Sequence, residues 1–161
     1  MSLKERLTEE LKEAMRAKDE RGKTTLRLLL DAIHKAEIPS KKEAEAGEGA
    51  QRKRLSEDEI LQVVASEAKR RREAITEFGK AKRDDLVAQE EAELEIIMGY
   101  LPAQLSREEI EVLAREVIQE LGASNISQMG RVMGALMARV KGRAEGAIVS
   151  QVVREMLGGS D

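Results

Sequence analysis

The sequence has 161 residues, of which 41% are hydrophobic and 37% charged, and its formal net charge is −3. A chain of this length can bury a core in one domain or in two small ones. The absence of cysteine excludes disulfides, thiolate catalysis and cysteine metal sites, and it fits a reducing compartment. Charged residues begin at Lys4, and no apolar run approaches the roughly 20 residues that span a bilayer. These features predict a soluble, cytoplasmic protein without a signal peptide or a membrane segment.

Helix starts are marked by serines that are followed three residues later by a glutamate. In such a capping box the serine side chain accepts from a free backbone N–H of the first turn, and the glutamate reaches back to the serine N–H. The pattern occurs at Ser2 and Glu5, at Ser56 and Glu59, and at Ser106 and Glu109. It predicts that helices begin at these three places.

Apolar residues recur at helical spacing through the first hundred residues and predict four helices. We expect them over about 2–17, 19–38, 56–78 and 82–99. Met15 is expected to point inward from the first, and Gly79 is expected to end the third. Between the second and third helices, residues 39–55 lack apolar periodicity and predict a flexible connection. Within it, the basic cluster 52–54 is interpreted as a solvated linker end, with phosphate contact as the alternative.

The segment Gly99-Tyr100-Leu101-Pro102 breaks the helical pattern and predicts a domain boundary. Beyond it, helices are expected at about 106–121, 127–140 and 145–157, the first ended by Gly122. No stretch has the alternating, β-branched character of a strand. The sequence therefore predicts an all-α fold: an N-terminal four-helix array in a domain of residues 1–100, followed by a C-terminal three-helix bundle in a domain of residues 101–161.

Catalytic patterns are weak in this sequence. Gly22 and Lys23 resemble the end of a phosphate-binding P-loop, but the required earlier glycine is replaced by Ala17, and helix rather than strand precedes it. His34 is the only histidine, so neither a zinc site nor a histidine-based catalytic group is predicted, and we interpret it as a helix-surface residue. Nothing favours carboxylate catalysis. We expect no cofactor, no metal and no catalytic constellation.

The stretch 129–157 combines glycines with positive charge. Gly130 and Gly134 lie four residues apart, and we expect them to let two helix backbones approach closely. Between residues 127 and 154 there are five basic side chains and one acidic side chain. If a helix ends at Gly142 and the next begins near Glu145, the turn presents free N–H groups that bind anions. We therefore predict a site that binds RNA phosphates, and the alternative is a solubilising surface turn. The residues of the predicted site are Arg131, Arg139, Lys141, Gly142, Arg143 and Arg154.

The segments 129–137 (MGRVMGALM) and 140–144 (VKGRA) closely resemble the C-terminal signature of the GatB/YqeY family. The opening MSLKERLTEELKEAMRAKD, the segment 73–85 (EAITEFGKAKRDD) and the segment 100–105 (YLPAQL) are similar to stand-alone YqeY proteins. The resemblance covers the whole chain. Two departures stand out: relatives often carry proline near Ala138 and asparagine near Ser150.

The resemblance implies a helical N-terminal domain and a C-terminal domain similar to the tail of the B subunit of aminoacyl-tRNA amidotransferase, which is associated with gripping tRNA. Family-level carbon–nitrogen ligase activity with glutamine as amide donor is implied too, although no residues here would perform it. We therefore expect a tRNA-associated accessory protein. The alternative is a protein–protein adaptor for an amidotransferase or an aminoacyl-tRNA synthetase. An amidotransferase in its own right is the third hypothesis.

Overall fold

The computed structural model describes residues 1–45 and 53–158. Every regular element in these ranges is a helix, which confirms the predicted all-α class. No helix in them is long and apolar enough to cross a bilayer. Contacts divide the chain into two compact units, Met1–Leu101 and Pro102–Asp161, named here the N-terminal and C-terminal units. That each unit folds as an independent domain stays a prediction.

The N-terminal unit consists of two helical hairpins and one short helix. The helices are α1 (Leu3–Arg16), α2 (Glu20–Glu37), α3 (Lys41–Glu45), α4 (Glu57–Lys80) and α5 (Asp84–Met98). Helix α1 packs along α2, α4 packs along α5, and α2 joins the two hairpins by contacting both α4 and α5. The predicted flexible connection contains α3, which the four-helix prediction missed. Arg52 of the predicted basic cluster lies outside the described residues.

Serine caps begin three helices at the predicted positions, Ser2, Ser56 and Ser106. At α1 the N–H of Glu5 donates to Ser2 Oγ at 3.2 Å, and the N–H of Ser2 donates to Glu5 Oε2 at 2.8 Å. Ser56 forms the same capping box at α4. At the helix α6 (Arg107–Leu121), Ser106 Oγ accepts from the N–H of Glu109 at 3.2 Å and donates to its carboxylate at 3.1 Å, so the return bond to the backbone is missing. Each cap satisfies N–H groups that lack a partner within the helix.

Lysines form both hairpin turns of the N-terminal unit. Lys18 after α1 and Lys82 after α4 each have a φ of 56°, the left-handed conformation that usually favours glycine. Gly79 was expected to end the third helix, and this prediction is wrong. Helix α4 continues to Lys80, because Lys82 supplies the left-handed residue of its C-terminal turn.

The core of the N-terminal unit is aliphatic. Its fully buried side chains come from four helices and include Leu7, Leu29, Ile33, Val64 and Ile97. Met15 was predicted to point inward, but it is 51% exposed. The reason is geometric: at 3.6 residues per turn Met15 lies about 80° around α1 from Leu7.

The C-terminal unit contains α6 (Arg107–Leu121), a 3₁₀ turn (Ile126–Gln128), α7 (Met129–Val140) and α8 (Gly146–Met156). Each α-helix packs against the other two. Gly122 ends α6 with a φ of 62°, as predicted. The core is again aliphatic; its buried members are Ile110, Ala114, Val117, Val132, Leu136, Val140, Val149, Val152, Val153 and Leu157.

Candidate functional site in the C-terminal unit

The turn between α7 and α8, residues 141–145, contains the centre of the predicted anion site. Gly142 adopts the left-handed conformation with a φ of 75°, which ends the preceding helix. Its carbonyl oxygen accepts from Gln104 Nε2 at 2.9 Å, and the carbonyl oxygen of Arg143 accepts from the N–H of Leu105 at 2.7 Å. The turn is therefore a structural junction that binds residues 104 and 105, the segment leading into α6.

Arg139 and Arg143 make bonds within the unit. The Arg139 guanidinium pairs with the Glu120 carboxylate and lies 3.5 Å from Glu116, both on α6. The hydrogen bond with Glu120 raises the pKa of Arg139, and the same bond lowers the pKa of Glu120. Arg143 Nη2 donates to the carbonyl oxygen of Arg139 at 3.1 Å, close to the C-terminal end of α7. Both guanidiniums thus stabilise helix ends and helix contacts.

An acidic residue immediately precedes α8. Glu145 is its N-cap residue, and its side chain makes no capping hydrogen bond. A carboxylate at a helix N-terminus interacts favourably with the helix dipole, and it repels another anion approaching the same N–H groups. This charge opposes phosphate binding at the predicted position. Lys141 is exposed in the same turn.

Arg131 and Arg154 lie far from the turn. Arg131 is nine residues before the end of α7, a rise of about 13 Å, and Arg154 is eight residues after the start of α8, about 12 Å. Each arginine is therefore separated from Lys141 and Gly142 by more than two helical turns. The structure does not bring the six predicted residues together.

Gly130 and Gly134 were predicted to let two helix backbones approach closely, and this prediction is wrong. A Cβ atom built on either glycine has no neighbour within 4 Å, and both residues are exposed. Helix α7 buries the stripe Val132, Leu136 and Val140. Residues two positions from this stripe lie about 160° around the helix, on the opposite face.

A polar cluster in the N-terminal unit was not predicted. The hydroxyl of Tyr100 donates to the Glu10 carboxylate, Arg6 Nε donates to Glu10 Oε1 at 2.9 Å, and the Arg6 guanidinium carbon lies 4.8 Å from the Tyr100 ring centroid. Burial, followed by the bond to Glu10, raises the pKa of Tyr100. Burial also acts to raise the pKa of Glu10, but hydrogen bonds from Tyr100 and Arg6 outweigh it and lower that pKa. These contacts hold Tyr100, in the segment after α5, against helix α1.

A cleft of about 550 Å³ lies among α1, α2 and α4 in the same unit. The Lys4 ammonium in it pairs with the buried Glu37 carboxylate, and the N–H of Leu3 donates to Glu57 Oε2 at 3.0 Å. These paired groups connect the helices around the cleft. Among the described residues, no group of three or more His, Asp and Glu side chains is placed to hold a metal ion. His34 lies on the exposed surface of α2, as predicted.

The fold and its polar contacts define an all-α protein of two helical units, in which serine side chains cap helices and charged side chains connect them. The family profile described as Yqey-like protein matches residues 4–157. The chain therefore belongs to the Yqey-like protein family, as the resemblance of its motifs predicted.

Curated relatives share one name, "Altered inheritance of mitochondria protein 41, mitochondrial". The Pyrenophora tritici-repentis protein is 33% identical over 158 residues, 95% of this chain and 80% of its own length. The Kluyveromyces lactis protein is 36% identical over 133 residues, 81% of this chain and 66% of its own length. The Lachancea thermotolerans protein is 40% identical over 124 residues, 75% of this chain and 60% of its own length. The chain thus spans about three fifths to four fifths of these relatives.

Two predictions are wrong in the light of these relatives. The first is the tRNA-associated function related to amidotransferase, together with its alternative, an adaptor for an amidotransferase or synthetase. The relatives carry the name of mitochondrial inheritance proteins, and the scattered arginines and the acidic start of α8 give the physical reason. The second is the cytoplasmic localisation, since the relatives are named as mitochondrial.

Proposed function

We propose that this chain acts in mitochondria, in the process for which its relatives are named, the inheritance of mitochondria. The observation that supports this most is the match to the Pyrenophora tritici-repentis protein, which extends over 158 residues and 95% of the chain. A match of that extent takes in the helices and cores of both units. The shared sequence therefore includes the whole two-unit architecture rather than one common motif.

We infer that the chain acts through noncovalent contacts of its helices. Its polar side chains repeatedly serve as connectors between helices, as Arg139 does with Glu120 and Tyr100 does with Glu10. Such connections hold helical surfaces in fixed positions, which is what a binding protein requires. The role is that of a helical binding protein in mitochondrial inheritance.

Complementation tests the proposal. A Kluyveromyces lactis strain that lacks its relative would express this chain fused to a mitochondrial targeting segment. The readout is the fraction of daughter cells that receive mitochondria, counted with a fluorescent matrix marker. We expect the chain to restore this fraction towards the value given by the yeast protein itself.

Two matched variants make the result interpretable. Leu136→Asp places a charge in the core of the C-terminal unit and should abolish complementation, since Leu136 is fully buried. Val112→Asp makes the same kind of change at a position that is 50% exposed and should leave the protein folded. A correctly targeted, folded chain, present at the level of the yeast protein, that leaves inheritance altered would refute the proposal.

A further inference from the structure

The distal part of the α4–α5 hairpin, residues 72–92, extends beyond the core of the N-terminal unit. Helices α1 and α4 start side by side, since the N–H of Leu3 donates to Glu57 Oε2, and α4 has 24 residues whereas α1 has 14. Helix α4, with α5 packed along it, therefore continues past the end of α1. No residue from 72 to 92 is fully buried, and none belongs to the core or packs against it. Its apolar side chains, including Ile75, Phe78 and Leu86, are half-buried. We call this segment the distal hairpin.

A layer of three charged side chains lies at the base of the distal hairpin. Arg71 on α4 faces Glu90 and Glu93 on α5, with Nε 3.5 Å from Glu90 Oε2 and 3.2 Å from Glu93 Oε2. The three side chains are only 11–17% exposed. Arg71 Nε and Glu90 Oε2 are shielded from solvent and lack hydrogen-bond geometry. Two carboxylates therefore share one guanidinium in a site where unsatisfied polar atoms are costly.

The neighbouring arginines are engaged elsewhere. Arg70 pairs with Glu67 at 3.2 Å, and Arg72 Nη2 donates to Met98 Sδ at 3.1 Å. The charged groups that act on Glu90 are thus Arg71 from α4 and Glu93 from α5 itself. Burial raises the pKa of Glu90, the negative charge of Glu93 adds to this, and Arg71 opposes it.

We propose that the Arg71–Glu90–Glu93 layer is a pH-sensitive clasp, which holds the distal hairpin closed more tightly when Glu90 is protonated. With Glu90 neutral, Arg71 and Glu93 form a balanced pair and no unpaired negative charge remains between the helices. With Glu90 ionised, repulsion from Glu93 and the loss of solvation favour local opening, in which the layer regains water. The proposal concerns the hairpin itself and does not depend on the proposed function.

The direction of the pH effect follows from the raised pKa. A carboxyl whose pKa is higher in the closed state contributes stability below its ordinary pKa, and this contribution is lost as the pH rises through the raised value. The hairpin should therefore open more often as the pH increases from acid to neutral.

Hydrogen exchange followed by mass spectrometry on the full chain tests the clasp. Glu90→Gln keeps the shape of the side chain and mimics its neutral form. At neutral pH we expect amides in peptides covering 74–88 to exchange more slowly in this variant than in the wild type, with no change in α1 and α2. The difference should shrink as the pH falls, because wild-type Glu90 then carries its own proton.

The matched control is Glu91→Gln, the next residue, whose side chain is exposed. It should leave exchange in the distal hairpin unchanged. Arg71→Met leaves two carboxylates without a cation and should speed exchange there by about tenfold or more. Faster or unchanged exchange in Glu90→Gln, or a difference from wild type that does not vary with pH, would overturn the proposal. The Glu90 comparison decides the question even if Arg71→Met fails to fold.

Discussion

Replacing Gly130 and Gly134 by alanine should stabilise the C-terminal unit. Both glycines lie within α7, on its exposed face, and a Cβ atom at either has no neighbour within 4 Å. Neither has a positive φ, so alanine causes no backbone strain. Because glycine is less favourable than alanine inside a helix by about 1 kcal/mol, each substitution should raise the free energy of unfolding by about that amount.

The expected shift is large enough to measure. In a unit of this size 1 kcal/mol corresponds to roughly 4–8 °C in midpoint temperature. The double variant should gain about 2 kcal/mol if the two exposed sites act independently. Thermal unfolding followed by circular dichroism, with hydrogen exchange at the amide of the buried Leu136, would assign the change to the C-terminal unit.

Gly142→Ala is the matched control, because its φ of 75° is unfavourable for any side chain. It should lower the free energy of unfolding by about 1 kcal/mol. If Gly134→Ala also destabilised the protein, another part of the chain would have to approach this face closely. That result would refute the reasoning and restore the packing role that the sequence suggested.

Four further substitutions test other parts of the fold. Lys18→Gly and Lys82→Gly should each stabilise the N-terminal unit by about 1 kcal/mol in urea denaturation, since glycine adopts the left-handed conformation without the penalty that a side chain brings. Destabilisation would show that contacts of the lysine side chains outweigh this backbone penalty. Ser56→Ala should lower the free energy of unfolding by about 1 kcal/mol through loss of the α4 cap, and an unchanged midpoint in the same assay would contradict this. Tyr100→Phe removes a hydrogen bond to the ionised Glu10, so the pKa of Glu10, followed by NMR, should rise in this variant. In the wild type, Glu10 contributes stability above its ordinary pKa, and this contribution should be lost as the pH falls through the lowered pKa of the folded state. A Glu10 titration unchanged by Tyr100→Phe would show that this bond does not stabilise the carboxylate.

Local signals in the sequence predicted the helices well. Serine caps, apolar spacing of three and four residues, and the glycines at 122 and 142 act within one or two turns, so they can be recognised without knowing the fold. The predicted helices over 106–121 and 127–140 correspond to α6 and α7 within a residue or two. The end of α4 was missed, because a lysine there adopts a conformation that sequence patterns assign to glycine.

The candidate site was predicted less well. Proximity in sequence placed Arg131, Arg139, Lys141 and Arg143 in one group, but an α-helix separates its ends by 1.5 Å per residue. Whether a charge faces solvent or a partner depends on other helices: Glu116 and Glu120, which engage Arg139, are about twenty residues away in sequence. The Arg71–Glu90–Glu93 layer could not be predicted for the same reason, since it requires the register between α4 and α5.

The sequence by itself determined the helical class, most helix boundaries and, through its motifs, membership of the Yqey-like family. These properties depend on interactions between residues close together in the chain. Only the tertiary structure decided which helix face is buried, which charges are paired, and that Gly130 and Gly134 are exposed. Those outcomes depend on how helices pack, and a rotation of about 160° around one helix separates the core stripe of α7 from its glycines.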